Sequence, residues 1–197
     1  DTFLDKRKTV ERIGSVGKNC LHLEVAIRDD HDWPVPPGTL GEIVLRGPKV
    51  FKGYWKDPEA TAAVFRGGWF HTGDIGYLDA EGFLYIVDRK KDMIISGGEN
   101  IASPEVERVL YEHPAVIEAA VVGRPDPRWG EVPEAFVVLK AGASAGPEEL
   151  QEFCRARLAK FKVPRAVHFV EALPRHPSGK VLQRVLREEA AAPRTGS

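Results

Sequence analysis

Apolar positions along the chain follow two spacings, and the change falls near residue 90. From residue 14 to 91 the spacing is that of strands. Leu21, Leu23, Val25 and Ile27 alternate with His22, Glu24 and Ala26, which predicts a half-buried strand over residues 21–27. Residues 42–46, 75–78 and 83–87 read as further strands, the last two joined by a turn at 79–82. Residues 34–38 form a loop by their Pro and Gly content. A short helix is expected over 58–65, with Asp57 as cap and Pro58 in its first turn. Short strands with frequent turns suggest a small barrel or sandwich.

Beyond the change the texture is α+β. Ser103 is expected to cap a helix with Pro104 at its first position and Val106, Val109 and Leu110 on one face. His113-Pro114 ends it. Residues 117–122, 134–139 and 167–170 read as three strands. Pro147 starts a helix whose Leu150, Phe153, Cys154 and Leu158 share a stripe. Residues 173–180 form a rigid loop, from which Ser178 is expected to cap a last helix over about 181–189. The fold class is therefore α+β: a small β-barrel-like subdomain, then a small α+β domain with a short three-stranded sheet and helices.

The stretch from Gly82 to Asn100 organises the rest. A buried strand runs into five consecutive charged residues, Asp88 to Asp92. Such a run costs too much to bury unpaired. A second apolar run, Met93-Ile94-Ile95, stops at Gly97-Gly98. A hairpin with a solvated turn would want Gly, Asn or Pro in the turn. A crossing between two separately packed bodies fits better. The expected division is residues 1–88, a hinge at 89–91, a second domain at 92–190 and a disordered tail at 191–197.

Composition narrows this only slightly. The 197 residues carry a formal net charge of −1, which points away from a nucleic-acid surface. No apolar run is long enough to span a bilayer. The two cysteines, Cys20 and Cys154, lack metal-type spacing, and a reduced cytoplasmic setting is the simplest account. The chain enters without an initiating Met, as a piece of something longer would.

Few residues suggest chemistry by themselves. Asp74, just after Gly73, can reach two vicinal hydroxyls, although spacing alone favours a turn Asp bonding its own backbone. Lys180, beside Gly179 at a helix start, can be delivered to a phosphate or carboxylate, although a solvated Lys is the commoner outcome. Gly14-Ser15-Val16-Gly17-Lys18 reads as a turn. Gly97-Gly98 is equally a plain turn or a bare-backbone wall for a narrow ligand. Trp129 sits in a loop with little obvious core to join, where an exposed Trp suggests contact. His71 reads as a surface residue at a strand end and receives no role.

Together these segments resemble the acyl-CoA synthetases of the adenylate-forming superfamily. Gly41-Glu42-Ile43-Val44-Leu45-Arg46-Gly47 through Gly53-Tyr54-Trp55 looks like one family motif, and Gly68-Trp69-Phe70-His71-Thr72-Gly73-Asp74 like the next. Asp88 through Ile101 looks like the hinge motif, and Pro174 to Lys180 like the final Lys loop. The family's upstream phosphate loop, its Thr-Glu magnesium motif and most of its acid pocket are absent. The resemblance is therefore to the C-terminal portion, and the isolated chain is expected to be inactive or a binding module.

The resemblance implies ATP, Mg2+ and CoA as cofactors, the magnesium ligands lying mainly in the missing part; no residue here is assigned as a metal ligand. It implies acyl-AMP formation and then thioester formation, with Lys180 catalytic. Asp74 and Arg89, with Lys180, would hold the nucleotide. Lys91 would be the pivot, and Gly97, Gly98 and Trp129 would face the CoA arm. The expected acid is a medium- or long-chain fatty acid, with an aryl or small dicarboxylic acid as the alternative. Expected partners are these small molecules and the rest of the parent chain, a homodimer being left open.

Overall fold

The structure, a computed structural model, describes residues 2–192. They fall into two compact units divided in sequence between Lys91 and Asp92.

The first unit contains β1 (Thr2–Phe3), β2 (Ser15–Asn19), β3 (Glu24–Arg28), β4 (Gly41–Arg46), α1 (Pro58–Val64), β5 (Phe65–Arg66), β6 (Trp69–Leu78) and β7 (Leu84–Arg89). The strands make one antiparallel sheet in the order β1-β2-β7-β6-β4-β3, with β5 added to β6. Its path ends at β1 and β3, so the sheet curls as an open half-barrel. Ile27, Ile43 and Leu84 form its buried core, against which Val16, Val25, Val35, Leu45 and Leu78 pack. Buried Trp69 has the guanidinium groups of Arg28 and Arg46 5.0 and 4.3 Å from its ring centroid. Asp57 caps α1 as expected, accepting from the Ala60 N–H at 2.8 Å.

Three local expectations change. Of residues 14–18, read as a turn, only Gly14 turns; the rest belong to β2. Gly17 is there for close approach, because a Cβ would stand 2.2 Å from the Phe3 carbonyl oxygen. The strand expected from residue 21 starts at Glu24, since a turn at residues 20–23 leaves Leu21 84% exposed. The strand expected from residue 75 starts at Trp69 and carries an irregularity in the middle.

The second unit contains β8 (Ile94–Ser96), β9 (Glu99–Ile101), α2 (Ser103–Tyr111), β10 (Val116–Asp126), β11 (Gly130–Leu139), α3 (Pro147–Arg155), β12 (Ala166–Phe169) and α4 (Gln183–Ala191). The three expected strands are joined by the short β8–β9 hairpin, in the order β10-β11-β8-β9 with β12 parallel on β11. Both faces of this sheet are buried. Ala119, Val121, Ala135 and Val137 pack with Val106, Leu110, Leu150 and Cys154 from α2 and α3. Ala120, Val122 and Phe136 pack with Leu173, Leu186 and Ala190. Two covered faces explain why residues 119–122 and 135–138 are apolar at every position rather than at alternate ones. Burial holds the Cys154 thiol up at about 11, so it packs as a neutral side chain.

Ser103 does not cap α2; it is the first helical residue, with Ala102 at the cap and Pro104 second. Ala190 is buried and Ala191 is helical, so the expected tail at 191–197 begins later; residues 193–197 lie outside those described. Among the described residues no helix is long and apolar enough to cross a membrane.

Candidate functional site

In the first unit the candidate nucleotide residues sit on adjacent strands. Asp74 lies within β6, not between a loop and a strand, and pairs in register with Arg89 of β7. The Arg89 Nε stands 3.7 Å from Asp74 Oδ1, at a solvent-exposed surface.

Asp74 is presented by a bulge. His71 pairs with Val44 and Ile75 pairs with Glu42, so Thr72, Gly73 and Asp74 all stand opposite Ile43. Gly73 has φ +73°, which favours glycine. The bulge is tied down at each residue. The Thr72 hydroxyl donates to the Ile43 carbonyl at 2.8 Å and accepts from the Asp74 N–H at 3.1 Å. The Gly73 N–H donates to Glu42 Oε1 at 3.2 Å. The Gly73 carbonyl accepts from the Lys90 N–H at 2.8 Å.

Beneath the bulge is a polar cluster that sequence reasoning missed. Glu42, whose side chain is 7% exposed, has Lys90 Nζ and His71 Nδ1 each 3.2 Å from Oε2, with Arg66 Nη2 at 3.7 Å. Asp30 pairs with Lys90 at 2.9 Å, and Asp32 stands 3.6 Å from both His71 and Arg66. Burial opposes charge on Glu42, but His71 and Lys90 outweigh it and hold the carboxyl below its ordinary range. Burial likewise opposes charge on Lys90, and Asp30 and Glu42 outweigh it to hold the ammonium above its ordinary range. His71 is therefore buried and partnered, not a surface strand end. The available signal was a charged residue in a strand whose neighbours Ile43 and Val44 are fully apolar.

Lys91 follows Lys90 directly, and Asp92 accepts from Arg187 of α4 at 3.5 Å. The residues flanking Lys91 are thus each tied within a different unit. The apolar runs on the two sides of the charged stretch belong to different sheets.

In the second unit Gly97 and Gly98 form the two-residue turn of the β8–β9 hairpin, with φ +61° and +87°. The Gly97 N–H donates to the Trp129 carbonyl at 2.7 Å, and a Cβ on Gly97 would stand 2.9 Å from Trp129 Cε3. The structure therefore brings Gly97 and Trp129 together. Trp129 occupies the β10–β11 turn, its backbone N–H donating to Asp126 Oδ1 at 3.0 Å; the residue is 38% exposed, and the Arg128 guanidinium stands 4.8 Å from its ring centroid. Gly97→Ala forces a positive φ and a clash together. It is expected to destabilise this unit by about 1–2 kcal/mol in chemical denaturation; an unchanged midpoint would contradict the contact.

Lys180 is exposed where a small loop over residues 176–180 closes. The His176 N–H donates to the Lys180 carbonyl at 2.9 Å, Arg175 donates to the Gly179 carbonyl at 2.7 Å, and Gly179 has φ +85°. Ser178 bonds His176 at 2.9 Å and does not cap α4, which starts at Gln183 without a side-chain cap. Arg175 anchors the loop to Glu118, near the start of β10, at 2.9 Å. Trp129 lies beyond the other end of that strand. At ~3.3 Å per residue, β10 from Glu118 to Asp126 spans roughly 25 Å. Lys180 and the Gly97–Trp129 pair therefore occupy opposite ends of one hairpin.

Residues 105–180 match the AMP-binding enzyme C-terminal domain, and residues 2–55 match the AMP-binding enzyme family. A 2-succinylbenzoate–CoA ligase from Geobacillus kaustophilus is 54% identical over 91% of this chain and 36% of its own length. A feruloyl-CoA synthase from an Amycolatopsis species is 50% identical over 93% of this chain and 38% of its own. Among solved structures, o-succinylbenzoate–CoA synthetase from Bacillus subtilis, in complex with its acyl-adenylate intermediate, superposes with TM-score 0.85 and 44% identity. It covers 100% of this chain and 39% of that one. The chain thus spans little more than a third of the length of these relatives.

Proposed function

We propose that this chain, which belongs to the adenylate-forming AMP-binding enzyme family, is the C-terminal part of an ATP-dependent ligase that joins an aromatic carboxylic acid to CoA. The likeness to the succinylbenzoate ligase over nine-tenths of the chain carries this reading. The Amycolatopsis relative acts by its name on ferulate, also an aryl acid. This favours the aryl alternative over the fatty-acid expectation.

In the first half-reaction the acid's carboxylate attacks the α-phosphate of ATP, giving acyl-AMP and pyrophosphate. Two anions approach, and Lys180 supplies the cation between them. The Asp74 carboxylate is suited to accept from two ribose hydroxyls, and Arg89 to orient it. In the second half-reaction the CoA thiol attacks the acyl carbon, AMP leaves, and the Gly97–Trp129 surface receives the CoA arm. Their placement at opposite ends of one hairpin supports a reorientation between steps, with Lys91 as pivot. Among the described residues no group of three or more His, Cys, Asp or Glu is placed to hold a metal ion. Two free cysteines support a reducing, cytoplasmic compartment.

The test is substrate competition in the full-length enzyme. 2-Succinylbenzoate or ferulate should release pyrophosphate with ATP at least about tenfold more efficiently than palmitate or octanoate, a difference of about 1.4 kcal/mol. A fatty acid winning by that margin would overturn the aryl reading.

A further inference from the structure

We infer that Glu42 is a positioning residue for nucleotide use: its buried carboxylate splints the bulge that presents Asp74 to Lys90, beside the proposed pivot. The inference rests on the adenylating function proposed above. Oε1 accepts from the Gly73 N–H at 3.2 Å, in the middle of the bulge. Oε2 accepts from Lys90 Nζ at 3.2 Å. The Lys90 N–H closes the loop on the Gly73 carbonyl at 2.8 Å. A single carboxylate thus fixes both edges of the Asp74–Arg89 pair, on β6 directly and on β7 through Lys90.

The surroundings fit this role. Gly73 has no side chain to brace the bulge, it has no register partner on β4, and its N–H donates to the Glu42 side chain. A bulge beside a site re-aims one side chain, but without a brace its aim is loose. The side chains facing Glu42 are Arg66 of β5, His71 of β6 and Lys90 after β7, and Asp30 and Asp32 after β3 pair with these in turn. Three nitrogen-bearing side chains converge on this buried carboxylate, and Asp30 and Asp32 hold them from the other side, so removing its charge weakens its hold on Gly73 and Lys90 without stranding the cluster. Glu42 touches no substrate in this scheme and acts through Asp74.

The test uses the full-length enzyme and ATP–pyrophosphate exchange. Glu42→Gln keeps the shape and removes the charge. It should raise the KM for ATP about tenfold while kcat changes less than about threefold. In an Asp74→Asn background the same change should raise that KM less than about twofold, because the two residues act as one unit. A lowered unfolding temperature with an unchanged KM would overturn the inference, as would effects that multiply in the double variant. Should Glu42→Gln fail to fold, Lys90→Gln carries the test at a partly exposed position. A several-fold higher KM supports the splint and an unchanged KM overturns it. A wild-type enzyme without ATP-dependent acid activation would refute the underlying function instead, which the same assay reports first.

Discussion

Replacing Lys180 by alanine in the full-length enzyme is expected to slow acyl-adenylate formation by about 10²–10³-fold. This is the usual cost of removing one placed donor or charge where charge develops in a transition state. Thioester formation from supplied acyl-AMP is expected to continue near the wild-type rate. The distinction follows from placement. Lys180 closes a loop anchored at the start of β10, while the Gly97–Trp129 pair sits at the strand's far end. The loop is held by its own backbone bonds and by Arg175 to Glu118, so the exposed Lys180 side chain can be truncated without disturbing the core. Rapid-quench measurement of the two half-reactions separates the outcomes. Equal loss of both steps would contradict a role confined to the first.

Lys91→Pro is expected to produce the opposite pattern, with adenylation retained and thioester formation from acyl-AMP reduced by at least about 10²-fold. Proline fixes φ near −65° and restricts the preceding residue to extended conformations. Lys90 is fastened to the first unit through Gly73, Glu42 and Asp30. Asp92 is fastened within the second by Arg187. A change of orientation between the units therefore has to be absorbed at the residue between those anchors. The measurement is single-turnover formation of acyl-CoA from purified acyl-AMP and CoA, and an unaffected rate would rule out the pivot.

Much of this was legible in the sequence where the signal is local. Asp57 and Pro58 mark the start of α1, and Pro147 that of α3. The apolar runs around 117–122 and 134–139 mark the central hairpin. The signal failed where glycine is used for close approach rather than for turning. Gly17 looks like punctuation but lets β2 lie against Phe3. It failed again for capping: Ser103 and Ser178 have the right chemistry for an N-cap, yet Ala102 and Leu182 hold those positions. Asp74, Arg89, Lys180, Gly97 and Trp129 were nameable from motifs. Glu42 was not, because its role depends on partners at residues 30, 66, 71 and 90 that only the register of β4, β6 and β7 collects. A charged residue in a strand is ordinarily read as outward-facing, and here it is buried. The kind of acid was harder still: the fatty-acid expectation rested on the likeness of the hinge region alone, whereas the relatives named above are a 2-succinylbenzoate ligase and a feruloyl-CoA synthase.

The most direct measurement is a crossed comparison in one full-length enzyme, with acyl-AMP formation and acyl-AMP consumption timed separately for Lys180→Ala and Lys91→Pro. The expected result is that each variant loses a different step, by at least about 10²-fold, and keeps the other. Both variants losing the same step, or either losing both equally, would contradict the use of one mobile unit for two successive reactions.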